Sequence, residues 1–171
     1  MKPHSLHDMY VEELKDLWSA ENQIVKALPR MVKAASNGEL KKALEQHLRV
    51  TERQVERLDR IFKELDASPR GKKCVGMEGV IEEGKELIKE KPEAPVLDAG
   101  LIAAAQHVEH YEMAGYGTVR TWASALGYDD QASLLEETLN EEKEADRILS
   151  DIAERSVNAG AEEGVGGNGR R

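Results

Sequence analysis

The sequence predicts an all-α fold, an antiparallel four-helix bundle with one long crossover that contains a short helix. Three observations lead there. Apolar residues recur at helical spacing in four long segments. Ala, Leu, Glu and Lys dominate the composition, and aromatic residues make up only 4%. A Pro/Gly/Lys-rich stretch separates the first two segments from the last two.

The first helix is expected over about residues 6–36. Ser5 reads as its N-cap, and Asp8 is the acidic residue three positions on. The inward stripe is Leu14, Leu17, Trp18, Ile24, Val25, Leu28, Met31 and Val32. Pro29 falls inside it, and because the stripe resumes afterwards a bend is expected there, not a stop. Asn37 and Gly38 mark a sharp turn. The second helix, about 39–65, carries Leu40, Leu44, Leu48, Val55, Leu58, Ile61 and Phe62. So short a turn makes these two helices antiparallel neighbours.

Residues 66–95 read as the crossover. A third helix is expected over 96–126, ended by Gly127, and a fourth over 130–157, capped by Asp129 or Asp130. Together they make one domain over 1–157, followed by a disordered Gly-rich tail, 158–171. Each helix is about 30 residues, or roughly 45 Å, long. Two hairpins joined by one long connection have the connectivity of ferritin-like folds.

The chain has 171 residues, with 33 acidic against 24 basic side chains and a net charge of −9. No basic stripe with interleaved aromatics is present, which argues against nucleic acid as a partner. No apolar run approaches the roughly 20 residues that cross a bilayer, and the start has no apolar leader core. A cytoplasmic protein without a membrane partner is expected. The single cysteine, Cys74, excludes an internal disulfide. It follows Lys72 and Lys73, which either favour its thiolate or simply flank a small loop side chain.

Each inward stripe is interrupted near its middle by a polar residue. Glu21 lies between Leu17/Trp18 and Ile24/Val25, and His47 and Thr51 between Leu44 and Val55. Glu112 is central among Ala105, Val108 and Val119, with Glu109 one turn earlier. Glu142 follows Leu135 and Leu139, Asp146 lies one turn on, and Glu141 sits at the stripe's other edge. In an antiparallel bundle these positions fall near one level. A dry core cannot keep five carboxylates charged there without a cation. The candidate metal ligands are Glu21, His47, Glu109, Glu112, Glu142 and Asp146. Such an oxygen-rich set suits a divalent metal, iron or manganese first, with zinc or calcium as alternatives. Taken singly, His47 also reads as a core histidine, Glu109 as a boundary residue, and Asp146 as a partner of Lys143 or Arg147. His110 projects away from the stripe.

The segments "LWSAENQIVKALPRM", "KKCVGMEGVIEEG", "VEHYEMAGYGTVRTWA" and "LNEEKEAD" resemble those of YciE/YciF-like bacterial proteins, over roughly residues 5–155. That ferritin-like family is associated with stress response. The resemblance implies a helical bundle that forms a homodimer and is similar to rubrerythrins and other di-iron carboxylate proteins. It places Glu21, His47, Glu109, Glu112 and Glu142 where such a site lies. Di-iron bundles use a Glu from each of two helices and a Glu-x-x-His from each of the others. Here Leu44 stands three residues before His47, and Ala145 three residues after Glu142. The donor set is therefore harder and richer in oxygen than a typical di-iron centre.

Two functions are expected to compete. One is a stress-associated protein with a carboxylate-rich site for one or two metals and weak redox or peroxide chemistry. Glu109 or Glu142 would bridge, Glu21 and Glu112 would be terminal ligands, and His47 would supply nitrogen. Tyr116 would either hydrogen-bond a ligand carboxylate or pack as core. The other is a non-enzymatic helical dimer with a structural or partner-binding role. Ferritin-like iron storage ranks last, because a dimer encloses no cage.

Overall fold

A computed structural model describes residues 3–166. Its elements are α1 (Leu6–Ala34), α2 (Gly38–Glu64), α3 (Val75–Glu90), α4 (Ala94–Ala125), α5 (Asp129–Ile152), a π-helical turn (Ala153–Val157) and α6 (Asn158–Gly166). The four long helices form the expected bundle, and α1 pairs with α2 and α4 with α5 most extensively.

The capping signals act as read. The Ser5 side chain accepts from Asp8 N, and the Asp8 carboxylate accepts from Ser5 N, a reciprocal capping box. Pro29 does not stop α1; it lies on the exposed face, where water can satisfy the carbonyl it leaves free. The Asn37 side chain caps α2 by accepting from the Glu39 and Leu40 amides. Gly127, at φ +77°, turns the chain after α4 in the left-handed region.

Three expectations need correction. The N-cap of α5 is Tyr128, with no side-chain cap, and Asp129 and Asp130 occupy the first turn, where their charge favours the helix dipole. The short crossover helix is α3, a full 16 residues, because Met77, Val80, Ile81, Gly84 and Ile88 give it an inward face against α1 and α4. The expected disordered tail is helical over Asn158–Gly166, after the buried Val157 docks the preceding turn. Residues 167–171 of that tail lie outside the described residues.

The apolar core falls into two clusters. One gathers Ile24, Leu28, Leu40, Leu44, Leu101 and Leu149. The other gathers Tyr10, Leu14, Leu58, Phe62, Val119 and Leu135. A layer of buried polar side chains separates them, comprising Glu21, His47, Thr51, Gln54, Glu109, Glu112, Thr138 and Glu142. Gly115 permits the close approach of α1 to α4 beside this layer, since a Cβ there would come within 2.6 Å of Leu17 Cδ2. At the far end, Asp98 of α4 accepts from Ser36 N (2.8 Å), Ser36 Oγ (2.5 Å) and Asn37 N (2.8 Å), tying the α1–α2 turn to the second hairpin.

Candidate metal centre

Helical periodicity brings four polar residues to one point. His47 of α2, Glu109 and Glu112 of α4, and Glu142 of α5 each offer a ligand atom, and these atoms all lie within 4.8 Å of one another. Glu109 and Glu112 share a face because residues three apart on a helix are neighbours. His47 Nε2 stands 3.3 Å from Glu109 Oε1 and 4.0 Å from Glu142 Oε2. Glu21 of α1 is fully buried and accepts a hydrogen bond from the Tyr116 hydroxyl.

The decisive feature is what these atoms lack. Glu21 Oε2, His47 Nε2, Glu109 Oε2, Glu142 Oε2 and both oxygens of Glu112 are buried without a hydrogen-bond partner among the described residues. Buried polar groups are ordinarily satisfied, and leaving one unsatisfied costs about 1–3 kcal/mol. Six such atoms on converging side chains make a donor set that fits a cation.

The electrostatics agree. Burial, then the Glu142 charge, pushes the Glu21 carboxyl up to about 8, against the lowering effect of the Tyr116 hydrogen bond. Glu109 is raised well above the usual carboxylate range by burial and by its contact with Glu142. Burial, followed by the charges of Glu142 and Glu21, does the same to Glu112. His47 is held below its ordinary value, chiefly by burial, so its imidazole is neutral at pH 7 and free to coordinate. Burial and the Glu21 charge raise the Tyr116 phenol, which stays a donor. Without a cation, protons must neutralise much of this layer.

Not every sequence candidate joins the cluster. Asp146 does not, because on α5 it turns toward α4, accepting from Gln106 Nε2 at 3.0 Å and pairing with His110 Nε2 at 3.2 Å. It does not pair with Lys143 or Arg147. Glu141 is not solvated but held by Arg57, with Nη1 to Oε2 at 2.6 Å and Nη2 to Oε1 at 2.8 Å. Cys74 is not an activated thiol. It is buried, it caps α3, and burial together with Asp16 raises its pKa.

Sequence reasoning missed Gln54. Its amide donates to Glu142 Oε1 and, at 3.1 Å, to Glu141 Oε2, and so links the cluster to the Arg57–Glu141 pair. The signal was present, since Gln54 lies seven residues after His47 and three after Thr51, on the same stripe.

Two pockets reach the cluster, and both end on His47 and Glu109. One, of about 490 Å³, opens between α2 and α5. The other, of about 250 Å³, lies beneath α3.

Comparison with known proteins identifies the lineage. Residues 5–162 match the family described as Domain of unknown function (DUF892). The chain belongs to this family. It is 45% identical to Protein YciF of Escherichia coli (strain K12) over 95% of this chain and 98% of that protein. The crystal structure of the E. coli stress protein YciF superposes with a TM-score of 0.88 at 45% identity, covering 91% of this chain and 99% of that one. YcfI of Rhodopseudomonas palustris, proposed to be a structural protein, gives a TM-score of 0.83 at 44% identity, covering 86% and 94%. A protein from Xanthomonas campestris, at 21% identity and a TM-score of 0.75, shares the fold over 94% of this chain and 99% of that one. No helix among the described residues is long and apolar enough to cross a membrane.

Proposed function

We propose that this YciF-like protein holds a divalent metal in the polar layer of its bundle and serves as a metal-dependent stress protein. The observation that carries the reading is the convergence of unsatisfied buried atoms from His47, Glu109, Glu112 and Glu142. Glu112, with both oxygens free, would offer carboxylate oxygens to the ion, and His47 Nε2 would supply the nitrogen. Glu21, oriented by Tyr116, is positioned to join as a further carboxylate or to neutralise a second ion. Iron and manganese suit this mixture of oxygens and one imidazole best. Either ion supplies Lewis acidity and one-electron redox capacity when bound. The protein's part is to fix the donors, with Gln54 holding Glu142, and to keep bulk water from the Glu21 and Glu112 side. A bound iron or manganese would suit the site to weak peroxide chemistry, and the E. coli relative is described as a stress protein.

Elemental analysis of protein purified without chelator or affinity metal tests this. Near-stoichiometric iron or manganese, lost in Glu112→Ala, supports it. A wild type that is metal-free and refuses added iron and manganese overturns it. The second reading, a non-enzymatic structural protein, draws on the description of the Rhodopseudomonas relative and on carboxyls that burial keeps protonated. It predicts that Glu112→Ala folds at least as stably as the wild type and changes no metal content.

A further inference from the structure

We propose that the pocket beneath α3 binds a free alkyl carboxylate, with the chain inward and the charged head at the mouth. The pocket, about 250 Å³, is walled by side chains such as Ile24, Leu28, Ile81, Ile88, Ala105 and Val108. It is larger than the roughly 150 Å³ apolar cavity that stays dry and accepts benzene. Such walls exclude ions and strongly hydrated molecules, which would lose their hydrogen bonds on entry. An alkyl chain loses nothing and gains about 0.8 kcal/mol per buried methylene.

The mouth fixes the head group. Apart from Glu109 on the floor, the charged residues lining this pocket are Lys26, Arg30 and Lys85. Lys26 and Arg30 are exposed, so their charges sit at the opening. Lys85 pairs with Glu82 at 2.9 Å, whereas Lys26 and Arg30 enter no ion pair among the described residues. A rim on which Glu82 offsets Lys85 but no carboxylate pairs with Lys26 or Arg30 among the described residues is unexpected in a chain of net charge −9. The pocket between α2 and α5 is equally apolar inside, but its mouth sets Glu137, Glu141 and Glu144 against Arg53, and this would repel an anion. Of the two pockets that reach the polar layer, the one beneath α3 combines apolar walls with a basic rim. The chain end of a bound carboxylate would meet His47 and Glu109, at the accessible edge of the polar layer.

The proposal rests on the walls and the rim and not on a bound metal, so octanoate binding and metal content are read separately and either can fail without the other. Octanoate is titrated into the full chain by calorimetry, with methyl signals of Ile24, Ile81 and Val108 followed by NMR. One molecule should bind per chain and shift those methyls. Lys26→Glu with Arg30→Glu should weaken octanoate about tenfold, two reversed rim charges amounting to about 1.4 kcal/mol. Neutral octanol should still enter the double variant. Ala27→Phe, at the pocket wall, should block both ligands, and Ala104→Leu serves in its place should Ala27→Phe fail to fold. Three results would overturn the proposal. In one, octanoate shifts none of these methyls. In another, inorganic phosphate binds the rim as well as octanoate does. In the third, octanoate fails to bind because sedimentation places a second copy of the chain over this face.

Discussion

The polar layer has a sealed side and an open edge. Glu21, Glu112 and Tyr116 are fully buried, flanked by helix–helix contacts as close as Gly115 to Leu17. His47 and Glu109 are also buried, yet each forms part of the floor of two pockets. Both sides carry unsatisfied donor atoms, but the cost of leaving them so differs. On the open side, water or a ligand has a route to them. On the sealed side only a proton or a cation can relieve the charge. A core therefore need not be uniform in depth, and binding and exchange can be divided between its two faces.

The sharpest way to break this contrast is Glu112→Ala. If the sealed carboxylate is the principal anchor, metal content measured by elemental analysis should fall from near one ion per chain to background, about a hundredfold or more. Gln54→Leu should act less severely, lowering affinity about 10–100-fold by freeing Glu142, as loss of an outer-shell partner generally does. Competition with a metal-sensitive dye would read it.

The metal-free protein should respond to pH in a characteristic direction. Glu21 is raised to about 8 when folded, and Glu109 and Glu112 are raised as well, so the folded state holds protons that the unfolded state has released. The contribution of this layer to stability is then full below about pH 4.5, the ordinary glutamate value, and is lost as pH rises through about 8. Thermal melts from pH 5 to 8.5 should show the midpoint falling, and saturating metal should flatten or reverse the slope. A midpoint that rises with pH in metal-free protein would contradict the protonated layer.

Tyr116→Phe removes the donor to Glu21 without opening a cavity, and should cost about 1–3 kcal/mol in denaturant unfolding of the metal-free protein. Asp146→Asn should do least. Asp146 lies outside the cluster, so metal content should stay unchanged and stability should move within about 0.5 kcal/mol. Loss of metal in that variant would extend the open edge along α5.

Much of this was legible in the sequence because helix periodicity is local. Glu21, His47, Glu109, Glu112 and Glu142 each interrupt a 3.6-residue stripe, and the fold only had to bring the interruptions to one level. Asp146 was misplaced because it lies one turn from Glu142, at an angle where a modest helix rotation decides between core and neighbour. Gln54 was overlooked because a glutamine in a charged run reads as surface until its partner on another helix is known. The extent of α3 was hidden for a related reason. Its glycines lower helix propensity, and packing of Met77, Val80, Ile81 and Ile88 into the core, with Gly84 close to Ala104, makes up for it.

The Asp98 clamp has a consequence for alignment. One helical turn is about 5.4 Å, comparable with the 4.8 Å span of the ligand atoms. A slip of one hairpin past the other by a single turn would therefore dismantle the cluster while leaving both apolar stripes in contact. Asp98 sits eleven residues before Glu109, about 16 Å away along α4. By gripping Ser36 and Asn37 it acts as an indexing pin, set at the end of the bundle, that keeps two sliding rods in the one notch where their donors meet.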